Sequence, residues 1–159
     1  MPAAAPSHTR FYILFLGFVV ALVMYLDRAC MASASPSITK EFGITNTTMG
    51  MIASAFTLTY SLFQVPGGWL ADRFGSRVVL TLAILWWSLF TMGSGLAWSV
   101  PSLIVMRALF GMGEAAAWPA AARSLGRWLP TQQRGFGQGF QHSGARFGAA
   151  ISAPLSLYL

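Results

Sequence analysis

The sequence predicts an all-α protein that crosses a lipid bilayer several times, and three observations carry that reading. Of 159 residues, 55% are hydrophobic and only 9% charged, against roughly 25% charged residues in soluble domains. The few charges leave long charge-free runs between them. The basic residues gather at alternate ends of those runs, as they do in polytopic membrane proteins. Disorder is excluded, because the chain is too apolar to stay solvated. A single cysteine, Cys30, excludes an internal disulfide framework and is too few for a Cys-ligated metal. No cofactor is called for. The net charge of +6 would suggest nucleic acid in a soluble chain, but no nucleic-acid motif is present and a membrane protein explains it by its loops.

Each span follows from a run and its flanks. The charge-free stretches are Phe11 to Leu26, Phe42 to Ala71, Val78 to Met106 and Ala115 to Ala122, and a helix needs about 20 residues to cross the hydrocarbon. The first run is short, so its helix must continue through Asp27 and Arg28 to end near Pro36. The second gives a helix over about 47–70. The third gives one over about 78–96, followed by a turn-rich piece with Gly93, Gly95, Ser99 and Pro101. A fourth span, about 102–125, contains Arg107 and Glu114. A fifth, about 135–158, contains Arg146, and residues 1–10 form a tail. A signal peptide is the competing reading of the first segment. Four further spans and the charged pair ahead of the would-be cleavage site argue against it.

Orientation follows from the arginines. With the amino terminus inside, Arg10, Arg73, Arg77, Arg123, Arg127 and Arg134 are all cytoplasmic and Lys40 alone lies outside. That bias predicts a cytoplasmic amino terminus in a cell membrane, the bacterial inner membrane being the expected one. Arg28, Arg107 and Arg146 remain, all within spans.

In span four, Arg107, Gly111 and Glu114 fall at i, i+4 and i+7 and share one helical face. A charge at mid-membrane costs at least about 2.5–3.5 kcal/mol, so two on one stripe call for a compensating role. Pairing with Asp27 and Arg28 merely to hold helices together is the structural alternative, and buried pairs are poor stabilisers against apolar replacements. Span five carries Arg134, Gln138, His142 and Arg146 at steps of four, flanked by Gln141 and Ser143. Gly135-x-x-x-Gly139 and Gly144-x-x-x-Gly148 offer close-packing surfaces. Arg146 lies deep enough for an anion contact, Gln141 and His142 can bond hydroxyls, and a helix-to-helix hydrogen bond is the preferred role of His142.

The most specific string is Gly68-Trp69-Leu70-Ala71-Asp72-Arg73-Phe74-Gly75-Ser76-Arg77, between spans two and three. Gly75 supplies a tight turn, and Arg73 and Arg77 hold the loop on the cytoplasmic side. This Gly-x-Leu-Ala-Asp-Arg-x-Gly-x-Arg pattern resembles the loop 2–3 signature of the major facilitator superfamily. Tyr25-Leu26-Asp27-Arg28, Ser54-Ala55-Phe56 with Tyr60 and Gln64-x-Pro66-Gly67-Gly68, and Arg107-x-x-x-Gly111-x-Gly113-Glu114-Ala115 resemble its anion:cation symporter family. That family includes galactonate and hexuronate carriers.

The resemblance implies the first five helices of an amino-terminal six-helix bundle, with the carboxy-terminal half absent, and hence a fragment or truncated gene product. It implies that Asp27 and Glu114 carry protons, that Arg107 meets the substrate carboxylate and that Arg28 couples the two. Tyr25 and Tyr60 match positions that line a sugar-acid site, although packing or interfacial anchoring serves tyrosines equally well. Gly68, Asp72, Arg73, Gly75 and Arg77 form the conformational loop. An uncharged residue such as Asn is usual where His142 stands, so the substrate is left open. Spans one and four are equivalent in the inverted repeats of such folds, and these two carry the acid–arginine pairs.

The expected function is therefore proton-coupled import of a small organic anion, such as a hexonate or hexuronate, by alternating access. Its partners would be the anion, protons, the bilayer and the missing half. Organic phosphate exchange and a non-transporting helical fragment or assembly module are the alternatives. An intramembrane enzyme has no support, since the chain has no His-rich metal set and no nucleophile–base pair.

Overall fold

A computed structural model describes residues 9–158 and shows six α-helices with no strand among them. The expected tail therefore lies outside the described residues except for Thr9 and Arg10, which open the first helix. The helices are α1 (Thr9–Glu41), α2 (Asn46–Phe74), α3 (Ser76–Gly95), α4 (Val100–Glu114), α5 (Ala117–Trp128) and α6 (Arg134–Tyr158), with a short 3-10 turn, Thr131–Gln133, before the last. Helices are what an apolar chain must form in lipid, where no water is available to satisfy backbone amides and carbonyls.

Boundaries have local causes. Helix α1 runs through Asp27, Arg28 and Pro36 for 33 residues and ends in a turn where Gly43 takes a φ of 60°. Thr45 caps α2 by accepting from the Thr48 amide at 3.3 Å. Gly75, at φ 88°, separates α2 from α3 and donates its amide to the Ala71 carbonyl. Ser99 and Ser102 form a reciprocal capping box at the start of α4, with Pro101 in the first turn. Over the fourth expected span, α4 and α5 are separated only by a turn at 115–116, across which the Ala115 amide still donates to the Gly111 carbonyl.

Among the described residues, Thr9–Glu41, Ser76–Gly95 and Val100–Trp128 are long and apolar enough to cross a membrane. The remaining two helices, α2 and α6, are 29 and 25 residues long and are interrupted by more polar and small residues.

The chain divides into two compact units, residues 1–30 with 122–159, and residues 31–121. In the first, α1 lies against α6. A Cβ at Gly144 would strike the Phe18 carbonyl oxygen, and one at Gly148 would strike that of Leu22. Phe18 also meets the rings of Phe140 and Phe147 at centroid separations of 5.2 and 6.0 Å. Leu14, Leu125 and Leu129 form a small core. The other glycine pair does not pack, because positions 135 and 139 fall on the exposed side of α6 with nothing near them.

In the second unit α4 is the central helix, packed on both α2 and α3, which touch each other only sparsely. Small residues set the separations. A Cβ at Gly67 would lie 2.7 Å from the Ala116 Cα, and one at Gly111 would lie 2.6 Å from both the Phe56 carbonyl oxygen and the Thr59 hydroxyl. Gly113 sits beneath the Trp86 ring, whose indole N–H donates to the Leu109 carbonyl at 2.8 Å.

Candidate functional site

The helix α4 presents two ionisable side chains to the interior. Arg107 is 8% exposed and Glu114 is fully buried, two turns apart on the face that also holds Gly111. The Arg107 guanidinium lies 5.2 Å from the centre of the Phe110 ring. Phe110 meets Phe56 at 5.5 Å and Phe56 meets Tyr60 at 5.7 Å between centroids. An aromatic chain thus links Arg107 on α4 to Tyr60 on α2. The approach is close because Gly111 leaves no side chain between α4 and the Phe56–Thr59 turn of α2. The Phe110 ring gives this guanidinium cation–π support, and its planar fork of donors is of the kind that matches a carboxylate.

In the first unit, Tyr25, Asp27 and Arg28 occupy successive half-buried positions on α1. Arg28 sits 5.3 Å from the centre of the Tyr25 ring. Gln141 of α6 is 1% exposed and reaches the α1 backbone at Gly17, where a Cβ would lie 3.9 Å from its side chain. Its Oε1 accepts no hydrogen bond among the described residues, which leaves an acceptor ready for a hydroxyl or amide. The four-step stripe behaves differently. Arg134, His142 and Arg146 are exposed and Gln138 is half-buried. Gly137, Gln141, Gly144 and Gly148 supply the buried face instead. His142 bonds the Gln138 carbonyl of its own helix through Nδ1 at 2.9 Å.

The loop string sits in the second unit. Gly75 takes the turn its lack of Cβ permits, at φ 88°. Gly68 rests in ordinary contact with Pro119, at 3.5 Å for an added Cβ. Asp72, Arg73 and Arg77 are exposed, with Arg73 over the Trp69 and Phe74 rings at 5.3 and 5.9 Å. The sequence reading did not single out Thr59 or Trp86, the two side chains that close on the α4 glycines. The signal available was Gly111 and Gly113 themselves, since a glycine facing inward requires something to fill its place.

Comparison with known proteins agrees with this architecture. A profile of the Major Facilitator Superfamily matches residues 17–159. The chain belongs to that superfamily, a family of transporters rather than enzymes, and is a multi-pass membrane protein. It is 42% identical over 157 residues to the D-galactonate transporter of Escherichia coli, covering 99% of this chain and 36% of that one. It is 40% identical over 151 residues to a probable sulfoacetate transporter of Cupriavidus necator, covering 95% and 35% respectively. The crystal structure of a bacterial homologue of the human lysosomal transporter Spinster superposes with a TM-score of 0.87 at 24% identity. It is covered over 93% of this chain and 31% of its own length, and shares the fold. The chain thus spans about a third of the length of each.

Proposed function

We propose that this chain supplies the amino-terminal helices of a carrier that takes up a small organic anion together with protons by alternating access. The observation that carries the reading is the buried Arg107–Glu114 face of α4, joined to Tyr60 through aromatic rings. Arg107 binds the carboxylate and Glu114 exchanges protons; by the family resemblance Asp27 also carries protons, and Arg28, Tyr25, Tyr60, Gln141 and Arg146 contact substrate. Gly68, Asp72, Arg73, Gly75 and Arg77 form the loop that shifts between states. A sugar acid suits this set of residue types, since Gln141 and the tyrosines can bond hydroxyls and Arg107 can bond a carboxylate. The names of the two relatives, one a galactonate and one a sulfoacetate transporter, support organic anions as the class. The exposed stripe of α6 and the polar residues of α2 suit helices whose outer faces meet the other half of such a carrier.

The test is Glu114→Gln in the two-half carrier reconstituted in liposomes. Glutamine keeps the shape of a protonated acid but cannot release a proton. Galactonate uptake driven by a pH gradient should fall to background while galactonate binding persists. Gradient-driven accumulation that survives in both Glu114→Gln and Asp27→Asn would overturn proton coupling through these acids.

A further inference from the structure

The helices α2 and α3 diverge from the Gly75 turn, and a cleft of about 430 Å³ opens between them with α4 as its floor. Small residues line its depth, Gly67 on α2, Ala83 on α3, Gly113 on α4 and Ala116 just beyond, while Leu70, Phe74, Val78 and Leu82 form its rim. These rim residues are exposed, at 38%, 56%, 49% and 61%. Trp86 closes the far end, its ring fixed over Gly113 by the bond to the Leu109 carbonyl. From Val78 to Trp86 the cleft runs along about 12 Å of helix. It is an open cleft of almost entirely apolar lining that begins at a loop between two membrane-embedded helices.

That loop is charged. Arg73 lies over the ring of Phe74, itself a rim residue. Arg77 directly precedes the rim residue Val78. Asp72 opposes them, so the mouth carries two positive charges against one negative. An apolar slot sized for one hydrocarbon chain, with arginines at its water-facing end, has the chemistry of a lipid with an anionic headgroup. Guanidinium groups bind phosphate bidentately, and basic residues at a membrane surface favour anionic over zwitterionic lipids.

We propose that the α2–α3–α4 cleft is a specific site for an anionic glycerophospholipid, with one acyl chain in the slot and the phosphate held by Arg73 and Arg77. The site is separate from the Arg107–Glu114 face, and the proposal is independent of which anion the carrier moves. An occupied slot would hold α2 and α3 at their present separation, coupling the loop to the composition of the leaflet.

The test is native mass spectrometry of the full chain released from detergent after incubation with phosphatidylglycerol or phosphatidylethanolamine. Phosphatidylglycerol should be retained preferentially, and each of Arg73→Gln and Arg77→Gln should lower its retention about fivefold. Leu82→Trp fills the slot from its exposed rim and should abolish retention while helix content by circular dichroism is unchanged. A second readout is quenching of tryptophan emission by phosphatidylglycerol brominated on its acyl chain. Because Trp69, Trp98 and Trp128 are also exposed, the share due to Trp86 is read as the difference between the parent chain and Trp86→Phe. This share should vanish in Leu82→Trp/Trp86→Phe relative to Leu82→Trp. Equal retention of phosphatidylethanolamine would overturn the headgroup assignment. Retention indifferent to Leu82→Trp, or absence of Trp86-dependent quenching, would overturn the cleft as the site.

Discussion

Arg107 and Glu114 point inward on one face of α4, yet they answer to different chemistry. A guanidinium stays charged at any physiological pH and presents a planar fork of donors, while a carboxyl can hold or release a proton. Lysine at position 107 would keep the charge and lose the fork. In the complete carrier, Arg107→Lys should therefore weaken galactonate binding about tenfold or more, on the scale of one charge-assisted hydrogen bond, while membrane insertion is retained. Calorimetry on purified protein checks this, and unchanged affinity would make Arg107 structural. The two residues were legible in the sequence because charges inside an apolar run have no cheap explanation. Gln141 was less legible. An amide carries no charge penalty to announce it, and its place beside the buried glycines emerges only when the helical phase of α6 is known.

At the level of the helices, phase decides which reading of α6 holds. A four-residue step follows a stripe that drifts slowly around a 3.6-residue helix, so Arg134, Gln138, His142 and Arg146 form a plausible face in sequence. The glycines decide against it as the packed face, because Gly144 and Gly148 allow the backbone of α1 to approach and Gly135 and Gly139 touch nothing. Two similar Gly-x-x-x-Gly strings thus have unequal energetic weight. Gly144→Ala and Gly148→Ala should each destabilise the folded chain by about 1–3 kcal/mol through overpacking. Gly139→Ala should be neutral or slightly stabilising, since alanine is the better helix former by up to about 1 kcal/mol. Unfolding in graded sodium dodecyl sulfate, followed by circular dichroism, separates the three. The close seat of Ala116 against Gly67 was not legible either, because it pairs two small residues from distant parts of the chain.

For the molecule as a whole, the distribution of arginines predicts which side each loop faces. Thr45 lies in the turn after α1, beside Lys40, and Ser76 opens α3 between Arg73 and Arg77. A cysteine at Thr45 should react with an impermeant maleimide added to intact cells, and a cysteine at Ser76 should react only after the membrane is opened, each in a Cys30→Ser background. The reverse pattern would invert the orientation. Fold class and family were legible because both rest on coarse signals, hydropathy and one dense loop motif. The same hydropathy sets α1, α3 and the α4–α5 stretch apart from the more polar α2 and α6. Which face of each helix meets a neighbour was not legible, because no single run of residues contains that information.

The contacts of Gly67 and Gly111 with their neighbours bear on how a mutational scan of this chain would read. Gly111 seats α4 against the α2 backbone and Gly67 seats α2 against Ala116 in the turn after α4, so any larger residue at either prises these segments apart. Such positions would score as intolerant as Arg107 in a growth selection. Expression level tells packing from the proposed anion contact: loss of protein marks the glycines, and loss of uptake at normal abundance would mark the arginine. A selection read without that second axis would draw the proposed site several residues too wide, along both α2 and α4.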